Sequence, residues 1–447
     1  MGPRRIVPET PEEKIVYWTI VGTWGLWLLG GLYIVGSLIG YVLLGIAALR
    51  YLGLEPSGRD VRTPPATVGV WCIGMFAMAV ALLIAHYDFE LGFLQTVKSF
   101  IGWMKGWALL AIFPLIGATL SIRPLIVVRA LSVLSLHTLA LAPLFLMSEA
   151  VGLPQSLYIS PLHVLASGPE FFDVTLYAID DVTGKARWRF FSPWATAAAF
   201  LAGIGFIVAV YEKSLTYRIV GIASAIAVFY MSGSRLSAVA LPAVLILMVV
   251  GSTVINPRAW LVLAAVATLG VLFSHEVLSA IDTAVESFNN ARAASSRVRA
   301  ALGNIAVHRW MTEAPVFGHG ILEPGGHVVE RMMIGSHHTW WGLLYVKGAV
   351  GFVALAVPMT VTFVALVVRA QADRVARIGL GIVLSMILFS FADNLEVIAY
   401  QMWPALILLG IALARPVRNP LAPRLGAGVP ESLASRTMAF ATPARPQ

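Results

Sequence analysis

Charge is what this sequence has least of. Asp, Glu, Lys and Arg make up 12% of its 447 residues, while 58% are hydrophobic; a soluble domain carries about a quarter of its residues as charges. A chain of this size cannot build a water-facing surface from so few charges, which excludes a soluble enzyme and a disordered chain. Cysteine is nearly missing as well. The single Cys72 sits inside an apolar run, which excludes an internal disulfide, a secreted disulfide scaffold and any cysteine-based metal site. Acidic residues are the scarcer sign, 23 against 31 basic ones, for a net charge of +8. No internal repeat and no heptad run is present, which weakens the case for a symmetric transporter.

What the sequence has instead is one apolar run after another. A spanning helix needs roughly 20 apolar residues. Residues 15–54 are too long for one span and read as a hairpin broken at Gly30-Gly31. No small-residue cleavage site stands out there, so the segment reads as an anchor and not as a removable signal. Further runs lie near 67–86, 101–121, 124–147, 194–211, 217–231, 236–254, 258–276, 340–366, 376–392 and 397–414. The expected fold class is therefore an all-α polytopic membrane protein of about twelve transmembrane helices, one integral membrane domain over 1–414. The Pro-, Ala- and Arg-rich tail 415–447 reads as disordered and cytoplasmic.

Orientation follows from Lys and Arg in short loops. With the N-terminus in the cytoplasm, 19 of the 31 basic residues fall in inside segments, from Arg4, Arg5 and Lys14 to the arginines after residue 414. Most of the others lie in two long outward loops, 148–193 and 277–339, where the rule has little force. The larger one, between the ninth and tenth spans, is expected to be partly helical. Most of the basic charge is thus a topology signal, and it gives no reason to expect nucleic acid as a partner.

The positions that interrupt the apolar pattern collect on the outward side. They include Ser232-Gly233-Ser234-Arg235, the loop Asp393-Asn394-Leu395-Glu396, and loop 277–339 with Arg292, Arg297, Arg299, Arg309, Arg331, His308, His319, His327, His337 and His338. Outward arginines run against the charge bias, and an anionic partner held by guanidinium forks is the simplest reason for them. Arg235 reads equally as an interfacial arginine snorkelling to headgroups or as a phosphate ligand at a helix start. Ser295–Ala314 reads as a surface helix with Val298, Leu302, Ile305 and Trp310 on one side and Arg297, Ala301, Asn304 and His308 on another. Pro315 and Gly318-His319-Gly320 then break it, and this Gly-x-Gly follows no strand, so it is no Rossmann fingerprint. Ser336-His337-His338-Thr339-Trp340-Trp341 precedes a span. Without a His-Glu-x-x-His helix or a cysteine, no metal is expected there. The histidines read either as structural residues in an interfacial Trp belt or as a general base near neutral pKa.

Taken together, these residues resemble a known family. His337-His338-Thr339-Trp340-Trp341 followed by Gly348 and Gly351 is similar to the H-N-x-aromatic-L…G-x-x-G pattern of the O-antigen ligase and O-antigen polymerase superfamily of bacterial envelope glycosyltransferases. Arg297 or Arg299 with Pro315 and Gly318-x-Gly320 resembles its R…P-x-x-G-x-G segment, and Ser234-Arg235 its S-R motif. Lys185–Ala198, with Arg187 and Arg189, resembles its R…F-x-x-P-N-x-x-A segment. The resemblance covers roughly 185–355. His338 stands where the family usually has Asn, and so does Trp194 after Pro193. The resemblance implies transfer of a glycan from undecaprenyl diphosphate to a sugar hydroxyl at the outer face of the inner membrane, by a polymerase or by a ligase acting on lipid A core or another acceptor. It implies no cofactor and an inverting direct attack. Arg235 and Arg297 or Arg299 would bind the diphosphate, with His337 as the base. Arg187, Arg189, Ser234, His338 and Asp393 are further candidates for substrate contact. The competing expectation is a transporter or flippase for an anionic or lipid-linked solute, which would place ionisable residues deep inside several spans.

Overall fold

A computed structural model of the chain describes residues 6–54, 61–165, 168–180, 183–275, 293–329 and 331–416, with positions 278, 279 and 282. The expected disordered tail lies outside the described residues from 417 onward, as does Arg292. The chain is built from helices: α1 Pro11–Val21, α2 Thr23–Leu28, α3 Leu32–Tyr51, α4 Ala66–Asp88, α5 Phe93–Lys105, α6 Leu109–Thr119 and α7 Pro124–Ala150 come first. After a long connection follow α8 Ala195–Val210, α9 Leu215–Ser232, α10 Arg235–Thr253, α11 Pro257–Leu272, α12 Ala293–Glu313, α13 Thr339–Ala370, α14 Arg374–Ser390 and α15 Ala399–Ala414. Among the described residues, eight helical segments are long and apolar enough to cross a membrane: Leu32–Tyr51, Ala66–Asp88, Phe93–Thr119, Pro124–Ala150, Leu215–Ser232, Arg235–Thr253, Thr339–Ala370 and Glu396–Ala414. Many large apolar side chains on them face outward, among them Ile73 (71% exposed) and Phe76 (67%), as a lipid-facing surface requires. This is a helical multi-pass membrane architecture.

Three details differ from the sequence expectation. The run 101–121 is not one helix: α5 and α6 are separated at Gly106, and α5 buries none of its residues. The connection 148–193 is not featureless: it holds β1 Ser156–Ile159 paired antiparallel with β2 Asp173–Thr175, and β3 Ala178–Ile179 paired with β4 Ala186–Arg187. Nor does α12 simply rest an apolar face on the membrane. Leu302 and Ala306 are buried against protein, Ala306 together with Ile334 and Tyr345.

The helix ends fall into two sets. One end is tied by ion pairs: Arg50 of α3 to Glu12 of α1 (3.0 Å), Arg123 before α7 to Glu13 (2.7 Å), Arg129 of α7 to Glu212 between α8 and α9 (2.9 Å), and Arg415 after α15 to Asp373 before α14 (2.6 Å). The other end is closed by hydrogen bonds that gather α2, the 148–193 connection, the α9–α10 turn, the start of α13 and the α14–α15 loop. There Ser160 donates to the Leu29 carbonyl (3.1 Å), Arg187 Nε to the Ser232 carbonyl (2.8 Å) and Thr339 to the Asp393 carbonyl (2.7 Å). Arg235, His337 and Asp393 all sit at this second end.

Candidate functional site

The backbone that carries His337 is held by an exchange of hydrogen bonds. Inside α13, Gly348 leaves helical geometry (φ 61°, ψ −160°) and opens the ladder. Residues 315–320 fill the gap. His319 and Gly320 donate to the Tyr345 and Val346 carbonyls (2.8 and 2.9 Å), while Ala349 and Val350 donate to the Pro315 and Val316 carbonyls (2.9 and 3.2 Å). The two backbones are so close that a Cβ on Gly318 would lie 2.4 Å from Lys347 N, and one on Gly348 would lie 2.3 Å from Val316 O. Gly318 and Gly348 therefore serve docking of the two backbones. Arg309 completes the clasp by bridging Glu313 (2.8 Å) and Glu323 (2.6 Å) and reaching the Tyr345 hydroxyl (2.7 Å). Beside that guanidinium and His319, the Glu313 carboxyl is lowered to about 2. Arg309 is thus spent on structure.

At the second end of the bundle lies a cleft of about 400 Å³, lined by Arg187, Thr196, Ser234, Arg235, Arg299, His337, His338 and the apolar Leu236, Trp341 and Phe391. Three helix N-termini open onto it. Gly233 ends α9 in the left-handed region (φ 56°), and Ser234 then caps α10 by accepting from Ser237 N (3.4 Å), which makes Arg235 the first helical residue. His338 caps α13: its Nδ1 accepts from Trp341 N (3.3 Å), and its ring stacks on Trp341 at 3.9 Å. Thr196 belongs to the first turn of α8, whose N-cap Trp194 makes no side-chain capping bond. Helix N-termini carry the positive end of the macrodipole together with unmet N–H donors, so this geometry favours an anion.

The arginines around the cleft are not equivalent. Arg187 is bound to Asp180 (3.2 Å) and the Ser232 carbonyl, and burial and the charge of Arg235 both weaken its hold on its proton. Arg235 and Arg299 have no carboxylate within ion-pairing distance among the described residues; Arg299 touches only the Ala392 carbonyl, at 3.4 Å. Arg297 does not line the cleft. Residues two apart on an α-helix point about 200° from each other, so only one of the two arginines on α12 can face it. Of the two, Arg299 is the one that lines the cleft.

His337 faces the same cleft with φ 63°, a backbone conformation that few residues other than Gly adopt, His among them along with Asn and Asp. Its ring has no hydrogen-bond partner among the described residues. Burial first, and then the charge of Arg299, push its pKa below the ordinary value, so the ring is neutral at physiological pH with a lone pair to offer. His338 is pushed down to about 4 by burial and acts as a cap.

Two candidates for substrate contact are occupied elsewhere. Arg189 holds Asp173 (2.9 Å) and the Pro193 carbonyl (2.7 Å), which pins the turn before α8. Asp393 is buried and does not reach the cleft. It accepts from Trp194 Nε1 (2.7 Å) and Asn394 N (2.9 Å), while its carbonyl accepts from Thr339. Asp393 thus braces the His337–Thr339 turn from behind. Burial raises its pKa despite these donors. What the sequence reading missed is Thr196 with the α8 N-terminus, Leu236 and Phe391. Nothing in the local pattern marks them, because only the tertiary fold brings them to one cleft. Among the described residues no group of three His, Cys, Asp or Glu side chains is placed to hold a metal ion. No protein-family model matches the chain, and no curated protein matches it either.

Proposed function

We propose that the chain is a glycosyltransferase of the O-antigen ligase and polymerase kind, with twelve spans, set in the bacterial inner membrane with the cleft facing the periplasm. The observation that carries this reading is the convergence of Arg235, Arg299 and three helix N-termini on one cleft beside the unpartnered ring of His337. The shorter helices α8, α11 and α14, and the α1–α2 pair, would supply the spans beyond the eight long apolar segments. The end that carries Glu12, Glu13 and Glu212 with their arginines would then be the cytoplasmic one.

The donor would be a glycan on undecaprenyl diphosphate, the acceptor a sugar hydroxyl of another glycan or of lipid A core. The hydroxyl oxygen attacks the anomeric carbon while His337 takes its proton. The bond from that carbon to the diphosphate oxygen breaks, and the electron pair leaves with the lipid diphosphate. Arg235, Arg299 and the helix N-termini stabilise the charge growing on the leaving group without protonating it. Leu236, Trp341 and Phe391 offer apolar and ring faces to the sugar or the lipid. Attack from the side opposite the diphosphate inverts the anomeric centre.

The first test is transfer from a synthetic polyprenyl-diphosphate glycan by the purified full chain in proteoliposomes. Arg235→Ala and Arg299→Ala should each lower kcat/KM about 10- to 100-fold, the worth of one charge-assisted hydrogen bond at ~1.5–3 kcal/mol. Arg297→Ala should stay near wild type. Equal activity in all three would overturn the diphosphate assignment. A second test is the pH profile. Because His337 has a lowered pKa, its neutral form persists as pH falls past the usual histidine value near 6.5, and activity is lost only below that. Arg299→Gln removes a like charge, so the acidic limb of kcat/KM should move to higher pH. An unmoved limb would detach the base from Arg299.

A further inference from the structure

A second cavity, of about 110 Å³, lies inside the bundle among α7, α8, α9 and the start of α15, and shares no lining residue with the cleft. Its wall is largely apolar, with Leu134, Phe191, Leu201, Val228 and Trp403, and no charged side chain among the described residues lines it. Two of its polar atoms have no hydrogen-bond partner among the described residues: Ser192 Oγ, on a residue 4% exposed, and the buried Gln401 Oε1. The amide of Gln401 is oriented by Nε2, which donates to the Phe191 carbonyl (2.6 Å), so its oxygen is the idle end. Both threonine hydroxyls in the wall are engaged elsewhere. Thr138 donates to the Leu134 carbonyl (3.0 Å) and Thr23 to the Ile20 carbonyl (2.8 Å).

A buried acceptor without a donor costs about 1–3 kcal/mol, and native proteins seldom leave one unmet. Here the missing partner must bring an O–H or N–H, and it must be neutral, since a charge in this uncharged wall would go unpaired. We propose that the cavity binds the hydroxyl end of a neutral long-chain lipid. Its O–H donates to Gln401 Oε1, its oxygen accepts from Ser192 Oγ, and its first methylenes fill the apolar part. The volume suits that: it equals roughly four waters at about 30 Å³ each, or a hydroxyl with a few carbons. Leu131, Leu201 and Gly205 in the wall are only half-buried, so the chain can leave between the helices. Free long-chain alcohols and diacylglycerols share this chemistry. The site stands independently of the transferase reading. On α8 it lies two residues from the cleft, with Ala198 lining the one and Thr196 the other.

The test is photolabelling of the purified full chain in nanodiscs with a diazirine-bearing long-chain alcohol, and mapping of the cross-linked peptides. Labels are expected within 131–138, 190–192 or 401–405. Competition by unlabelled long-chain alcohol alone assigns the site to free alcohols; competition by diacylglycerol as well assigns it to hydroxyl lipids in general. The matching fatty acid should not compete. Ser192→Ala, which leaves the Gln401–Phe191 bond intact, should weaken labelling three- to tenfold, and Gly205→Leu, which fills the cavity, should abolish it in protein that still elutes as a single species. His337→Asn should label as wild type, so loss of transfer and loss of this site are separate results. Labels elsewhere, equal competition by the fatty acid, wild-type labelling in Ser192→Ala, or ordered water that the alcohol cannot displace would each overturn the proposal.

Discussion

Replacing His337 with asparagine or glycine should lower glycan transfer by about 10²- to 10⁴-fold, the usual range for losing a positioned base, while the protein folds at least as stably as the wild type. Both halves of that expectation come from one residue. The histidine is held at φ 63°, where a side chain with Cβ is strained by about 1–2 kcal/mol; glycine escapes that strain, and asparagine adopts the region at least as readily as histidine. Neither of them offers a basic ring nitrogen. A residue retained only to shape the turn would be improved by the change, whereas a residue retained for its lone pair would be ruined by it. Turnover and thermal unfolding in the same detergent decide the matter. If His337→Asn keeps activity within a few-fold of wild type, the ring is not the base. His338 gives the contrast: it caps α13 with Nδ1, and asparagine can cap as well, so His338→Asn should be mild.

Gly348→Ala should be more damaging than any substitution in the cleft itself, although the residue touches no substrate. The new methyl would enter at 2.3 Å from Val316 O, against backbone that cannot swing aside, and at φ 61°. Overpacking costs about 1–3 kcal/mol, and this essentially Gly-only backbone conformation (φ 61°, ψ −160°) roughly another 1–3. The cheapest relief is to undock residues 315–320 from α13, which also releases the clasp of Arg309 and with it the placement of Arg299. Transfer should fall below detection, and limited proteolysis should open a new cut between about 314 and 335. Gly326→Ala, where nothing lies within 4 Å of the added carbon, should change neither. Resistance of Gly348→Ala to the protease would show that the exchange of hydrogen bonds is dispensable.

The helices were legible because lipid-facing and core-facing residues are both apolar, so each run announced itself, and the breaks at Gly30-Gly31 and Ser232–Arg235 were found where glycine and serine interrupt them. The split of α5 from α6 was not, because Gly106-Trp107-Ala108 is as apolar as its surroundings. Within the site, Arg235, Ser234 and His337 were readable from their place beside span starts. The arginines were harder, since the same side chain serves ion pairing and ligand binding. Arg309 could have been set aside from its i,i+4 spacing to Glu313, but the pairing of Arg189 with Asp173 spans 16 residues and the choice of Arg299 over Arg297 depends on which face of α12 the cleft meets. Asp393 misled for a similar reason: its carboxylate is engaged by Trp194, far away in sequence.

The three helix N-termini that open onto the cleft have an evolutionary consequence. Part of the positive potential there belongs to peptide dipoles and has no codon. A point mutation can delete Arg235 or Arg299, yet it cannot delete the N–H groups of α8, α10 and α13 while those helices stand. Arginine losses should therefore grade activity downward instead of switching it off. A lineage can drift through such intermediates, exchange one cationic side chain for another and keep a working anion site throughout. Tolerance of that kind would let the local motifs of such a chain wander far from any shared pattern while the chemistry stays the same.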